Sequence, residues 1–152
     1  MLREKISGDL IRAVKEQDKV RVSTLRLLSA SMHNREIEKK GRGEDASLGD
    51  DETMELIRRE AKKRKEAILL YTKGGRNELA LKEEQELSVL EAYLPARLGE
   101  EEVRKTIDDA IALVRPEGVK DFGKVMGAAM KTLRGVADTE EVSAIIKEKL
   151  GA

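Results

Sequence analysis

Four cations and two glycines lie at helical spacing in the C-terminal third of the chain. No other residues of the chain are better suited to hold a ligand. The six residues are Lys120, Gly123, Lys124, Gly127, Lys131 and Arg134. The cations and the second glycine follow one another at intervals of four, three, four and three, so a helix places them on one face. Residues 119–135 contain one acid, Asp121. Such a row of cations suits contacts with the phosphates of a nucleic acid.

The two glycines need an explanation of their own, because a glycine inside a helix costs about 0.5–1 kcal/mol relative to alanine. One explanation is a close approach of the helix backbone to another helix. The other is a close approach to a phosphate backbone, with lysines on either side. The spacing alone leaves both explanations open.

A second run of positive charge covers residues 58–65, where six basic residues accompany one acid, Glu60. Arg58, Lys62 and Lys65 share an outer stripe of the predicted helix and form a second candidate basic patch. The alternative is a solvated helix face whose charges are balanced by nearby acids. Surface charge runs are most often of that kind.

Three charged residues fall on or beside apolar stripes. Arg64 lies seven residues after Ile57 and seven before Tyr71, Glu86 lies on the inner face of the fourth predicted helix, and Arg26 lies at the edge of the second helix's stripe. Breaking a buried ion pair costs roughly 3–5 kcal/mol, so a buried charge needs a partner. We therefore expect Glu86 to pair with Arg64 or Arg26 and to fix the register of the helices. The alternative, a catalytic carboxylate, has no acid–base partner placed beside it.

The composition excludes several classes of active site. The chain has no Cys, which removes disulfides, thiolate zinc sites and cysteine nucleophiles, and its one histidine, His33, cannot build a multi-histidine metal site. No phosphate-binding loop, dinucleotide fingerprint or nucleophile elbow occurs. We expect no catalytic residues, no metal and no cofactor. The three aromatic residues, Tyr71, Tyr93 and Phe122, lie on inner stripes and are expected in the core, which disfavours a binder that stacks bases on exposed rings.

The hydrophobic pattern predicts an all-α fold. Apolar residues recur at intervals of three and four, and strong helix formers dominate. Four long helices are expected to form an N-terminal helical domain over residues 1–95, and three short ones a tail domain over 96–152. Asp18 is expected to cap the second helix, and Gly74 and Gly75 to end the third. The sixth helix, over residues 121–133, carries the row of cations.

Charge and hydropathy restrict the expected partners and cellular location of the protein. Thirty basic and thirty acidic residues cancel, so whole-chain charge does not predict a nucleic-acid partner. No apolar run approaches the roughly 20 residues that span a membrane, and charged residues come at once after the first Met and Leu, unlike a secretory signal. We expect no membrane association and a cytoplasmic location.

Four segments resemble a known family. They are Tyr93-Leu94-Pro95, Leu98, the stretch Gly123-Lys124-Val125-Met126-Gly127-Ala128-Ala129-Met130-Lys131, and Gly135-Val136-Ala137-Asp138. In this pattern the chain resembles the GatB/YqeY family, and almost its whole length is similar to the stand-alone YqeY-like proteins. The long glycine- and lysine-containing stretch is the most specific part of the resemblance.

The resemblance implies a helical domain joined to a small three-helix tail, the pair that forms the C-terminal portion of the B subunit of the tRNA-dependent amidotransferase. That enzyme converts glutamate or aspartate mischarged on tRNA into the amide, with glutamine as nitrogen donor. Its tail helps to hold tRNA, so the resemblance implies RNA contacts for Gly123, Lys124, Gly127, Lys131 and Arg134. The kinase-like portion of the B subunit and the amidase subunit have no counterpart in this chain.

Three hypotheses for the function follow. The first is a non-catalytic tRNA-binding accessory module of translation, which uses the cations of the sixth helix. The second is a subunit-like component of a glutamine-dependent carbon–nitrogen ligase that acts only with amidotransferase subunits as partners. The third is a helical protein-interaction module with no RNA role. We expect no intrinsic enzyme activity under any of the three.

Overall fold

Helices make up most of the computed structural model, which describes residues 1–151, and these residues form no β-strand. The predicted all-α fold is confirmed. The helices are α1 (Leu2–Glu16), α2 (Lys19–Gly41), α3 (Asp50–Lys73), α4 (Asn77–Glu91), α5 (Glu100–Val114), α6 (Phe122–Leu133) and α7 (Thr139–Lys149), with a 3₁₀ turn at Val119–Asp121. No helix in the described range is both long and apolar enough to cross a membrane.

Two helix boundaries in the first unit have a clear chemical reason. The Asp18 carboxylate accepts a hydrogen bond of 3.1 Å from the Arg21 backbone N–H, which satisfies an otherwise unpaired donor in the first turn of α2. Helix α3 ends at Lys73, and Gly75 follows with a φ of +70°. Only glycine adopts that conformation at little cost, so the chain turns there into α4.

Contacts divide the chain into two units, Met1–Leu94 and Pro95–Ala152. The first unit contains α1 to α4, and α3 and α4 form a helical hairpin. Its core is apolar and draws on all four helices; the buried members are Ile6, Leu25, Leu28, Met32, Leu48, Ile57, Ala61 and Leu90. That the two units are separate domains stays a prediction.

The second unit, Pro95–Ala152, contains α5 to α7 around a core of its own. The buried members of this core are Val103, Ile107, Ala110, Val125, Ala129, Leu133, Val142, Ile145 and Ile146. The segment before α5 is tied to the loop after α6, because the Leu98 backbone N–H donates to the Val136 carbonyl at 2.8 Å. Burial of each large apolar side chain contributes about 1.5–3 kcal/mol, so this small unit depends on nearly all of them.

Candidate nucleic-acid interface

The orientation of α6 is set by its apolar residues. Val125, Ala129 and Leu133 are completely buried, and their spacing of four keeps them on one side of the helix. The opposite side must then face away from the core of the unit. A 3₁₀ turn precedes α6 and brings Lys120 next to its first turn.

All four cations predicted to contact RNA are exposed. Lys120 donates to Glu117 at 2.6 Å, and Lys124 lies 3.5 Å from the Asp121 carboxylate, yet the two lysine side chains remain 70% and 75% exposed. Exposed ion pairs of this kind contribute about 0–1 kcal/mol, so a stronger anion can replace the partner.

The other two cations, Lys131 and Arg134, are exposed in the last turn of α6 and just after it. Within residues 1–151 neither forms an ion pair. Since the two acids that contact Lys120 and Lys124 both precede α6, the C-terminal half of the helix is the more positive part of the face. This asymmetry was not visible in the spacing.

Asp121 closes the turn that precedes α6. Its carboxylate accepts a hydrogen bond of 2.8 Å from the Glu117 backbone N–H. This bond, together with the nearby charges of Lys124 and Lys120, holds the pKa of Asp121 below its ordinary value. Asp121 is therefore ionised at neutral pH, and it partly offsets the charge of the two lysines that flank it.

The two glycines of α6 face open space. A Cβ atom built on Gly123 or Gly127 would meet nothing within 4 Å apart from the adjacent residues and the backbone of its own helix, and both residues are exposed. Close approach to another helix of the second unit therefore does not explain these glycines. The backbone of α6 is bare along this line, with Lys124 and Lys131 beside it.

The second candidate patch is less open than expected. Arg58 is half-buried, and its Nε atom is buried without a hydrogen-bond partner, which contradicts its predicted place on an outer stripe. Lys65 lies 3.1 Å from the Glu91 carboxylate, and Lys62 is exposed and also engaged in an interaction. Helix α4 of the α3–α4 hairpin reaches this stripe at Lys65, since Glu91 is the last residue of α4.

The ion pair of the first unit joins α3 to α4. Arg64 donates through Nη1 to Glu86 in a short hydrogen bond, and the same nitrogen lies 3.0 Å from Glu83. Arg64 and Glu86 are buried, with 8% and 5% exposure. Arg26, the other arginine considered for Glu86, is exposed on α2, so its assignment to this pair is corrected. Glu83 was not anticipated.

The three aromatic residues are less deeply buried than a place in the core predicts. Phe122 packs against the core of its unit but is only partly buried, and it lines a groove between α6 and α7. Tyr71 and Tyr93 are also only partly buried, and the Tyr93 hydroxyl donates to Asp9 at 2.6 Å. A stripe position predicts which side of a helix faces inward, but not how completely neighbouring helices cover it. The described residues contain no cluster of three or more side chains suited to a metal ion.

Comparison with known proteins gives two kinds of relative. The chain is 30% identical over 152 residues to "Altered inheritance of mitochondria protein 41, mitochondrial" of Pyrenophora tritici-repentis, and the alignment covers 97% of this chain and 80% of that protein. It is 35% identical over 100 residues to the E subunit of the glutamyl-tRNA(Gln) amidotransferase of Thermococcus gammatolerans, where the alignment covers 57% of this chain and only 16% of that protein.

A match to one protein family also covers nearly the whole chain. The family described as "Yqey-like protein" matches residues 3–150, which includes both units and the whole of α6. A second mitochondrial protein 41, from Vanderwaltozyma polyspora, is 31% identical over 89 residues, 59% of this chain and 46% of that protein. With nearly every residue matched by one family, and a relative aligned along almost the full length, the chain belongs to the YqeY-like family.

Proposed function

We propose that this chain is a non-catalytic accessory module that binds tRNA through the exposed face of α6. The observation that carries the proposal is the bare backbone at Gly123 and Gly127 beside exposed cations. No contact within the second unit accounts for these glycines, and a phosphate backbone is a ligand that suits both close approach and positive charge. Similarity to a protein whose name includes a tRNA points to tRNA as the RNA to test first.

The chemistry of the face favours phosphates over bases as its main contacts. Lysine and arginine side chains neutralise phosphates whatever the nucleotide sequence. A glycine has no side chain, so a phosphate can approach the helix backbone more closely at a glycine than at any other residue. Four cations on one face correspond to about four phosphates. The logarithm of the affinity should then fall with the logarithm of the salt concentration at a slope of roughly −3, from about −0.7 per contact for single strands.

The test is a double charge reversal, Lys124→Glu with Lys131→Glu. The expected result is a large loss of affinity for all tRNAs alike and a shallower salt slope, measured by fluorescence anisotropy over a series of salt concentrations. The matched control is Lys15→Glu with Lys105→Glu, which makes the same change in net charge at exposed positions on α1 and α5. If the α6 variant binds tRNA as tightly as the parent, the proposal is wrong.

A second candidate function rests on the similarity to one component of an amidotransferase. In this case the chain is a component of a glutamine-dependent carbon–nitrogen ligase and contributes tRNA binding to a larger assembly. Incubation with mischarged tRNA, ATP and glutamine should then yield amide only when catalytic subunits are added. Amide formation by the chain alone would contradict both the accessory module and this component.

A further inference from the structure

A groove lies between α6 and α7 in the second unit, next to the candidate RNA-binding face. Its volume is about 400 Å³, and Phe122, Met126, Ser143, Ala144 and Lys147 are among the residues that line it. Phe122 and Met126 lie one turn apart on α6 and present an apolar wall. The groove therefore offers an aromatic ring and a thioether side chain on a helix that also carries cations.

The glycines connect this groove to the cations. At 100° per residue, the order around α6 runs from the groove side at Met126, across Gly123 and Gly127, to Lys131 and Lys124. A strand of RNA that approaches the bare backbone at the glycines thus has lysines on one side and the groove on the other. This order follows from the helix geometry alone, since all five residues lie in α6.

The far rim of the groove, on α7, also carries a cation. The Lys147 ammonium lies 5.7 Å from the centroid of the Phe122 ring, and within residues 1–151 Lys147 forms no ion pair. A cation held over an aromatic ring at this distance is placed to meet a phosphate while the ring contacts a base. Glu140 also lines the groove, so the α7 rim carries one acid as well as this cation.

The size of the groove favours a nucleobase over a protein segment. Stable protein interfaces involve about 20–30 residues on each side, whereas seven residues line this groove. Its volume is at the lower end of the range for small-molecule sites, about 300–1,000 Å³, and a flat ring system fits such a site.

We propose that this groove receives an unstacked base of the bound RNA, so that the chain prefers RNA with unpaired nucleotides over continuous duplex. This inference rests on the proposed RNA-binding function and adds to it the class of RNA that is recognised. The lysines of α6 supply affinity for any RNA backbone, and Phe122 and Met126 supply the preference for a base that is available to stack.

The test compares two RNA probes, a hairpin with a single-stranded loop and a blunt duplex of the same length. Ala144 is exposed in α7 and lines the groove, so Ala144→Leu fills the groove without altering the core. The expected result is roughly a tenfold loss of affinity for the hairpin, with unchanged affinity for the duplex. Ala112→Leu, at an exposed position of α5, is the matched control and should change neither affinity.

A second measurement avoids dependence on one variant. A hairpin with 5-iodouridine in its loop should crosslink under ultraviolet light to the parent protein at Phe122, and Phe122→Leu, which keeps an apolar side chain, should abolish the crosslink. Hairpin binding that is equal for the parent, Ala144→Leu and Ala112→Leu would overturn the inference and leave the groove to a protein partner. The proposed function fails separately, when the Lys124→Glu and Lys131→Glu double variant still binds both probes like the parent.

Discussion

One guanidinium nitrogen serves two carboxylates in the first unit. Arg64 Nη1 contacts both Glu86, which is buried, and Glu83, which is partly exposed, while the Nε of the same arginine is buried without a partner. A buried ion pair is weak evidence for stability, because removing charges from water is costly. Its strongest effect is to penalise any arrangement of α3 and α4 that leaves one of these charges alone.

Removal of the arginine is therefore expected to destabilise the first unit strongly. In Arg64→Met the buried carboxylate of Glu86 loses its cation, and we expect the free energy of unfolding to fall by roughly 3–5 kcal/mol. Urea denaturation followed by circular dichroism measures this change. Arg26→Met is the matched control, since Arg26 is exposed, and it should stay within about 0.5 kcal/mol of the parent. Equal losses in the two variants would contradict the assignment of Arg64.

Burial of charged residues was predictable from the sequence, but their partners were not. Arg64 lies seven residues after Ile57 and therefore on the same apolar stripe of α3, which correctly indicated that its side chain points inward. The choice of Arg64 over Arg26, and the participation of Glu83, depend on how helices from different parts of the chain pack. Local periodicity carries no information about that packing.

Two exposed glycines lower the stability of α6 and leave its backbone accessible. Gly123 and Gly127 have room for a methyl group, because apart from the adjacent residues and the backbone of α6 nothing lies within 4 Å of the place that a Cβ atom would occupy. A helix of this length gains from every better helix former, and alanine exceeds glycine by about 0.5–1 kcal/mol. Packing within the second unit therefore gives no reason to keep the glycines.

Replacement of Gly127 by alanine should move stability and RNA affinity in opposite directions. We expect Gly127→Ala to raise the free energy of unfolding by about 0.5–1 kcal/mol and to weaken binding of tRNA, because the added methyl group holds the phosphate backbone away. Thermal unfolding and anisotropy on the same sample measure the two effects. Gly8→Ala, at an exposed site in α1 with equal room, should raise stability without changing affinity. Unchanged affinity in Gly127→Ala would remove the argument from the glycines.

The helices themselves were largely predictable, because their signals are local. Apolar spacing located α6, Asp18 marked the start of α2, and the glycine pair marked the end of α3. The candidate site was predictable as a row of cations but not as a surface. Glu117 and Asp121 reach Lys120 and Lys124 through the 3₁₀ turn, and the groove beside Phe122 depends on the position of α7.

Across the whole molecule, charge is balanced at every large scale. Residues 1–95 contain 20 basic and 19 acidic residues, and residues 96–152 contain 10 and 11. A balanced charge gives little long-range attraction for RNA. Affinity must then come from short-range contacts on a small surface, which makes the folded state of the second unit decisive for binding.

The second unit should therefore fold and bind RNA without the first. A fragment that starts at Pro95 keeps all nine buried apolar residues of the unit and the hydrogen bond from Leu98 to Val136. A unit of this size buries only about 60% of its unfolded surface, so it has little stability to lose. We expect helical circular dichroism, a cooperative thermal transition, and the same slope of log affinity against log salt as the full chain.

A shorter fragment, which starts at Val103, is the control for this expectation. It removes Leu98, which packs against the core, together with the first turn of α5, and it leaves the Val136 carbonyl without its donor. Because the unit is small, these losses should unfold it, and RNA binding should disappear with the helical signal. A folded Pro95 fragment that has lost its RNA affinity would contradict the expectation that the second unit binds RNA by itself.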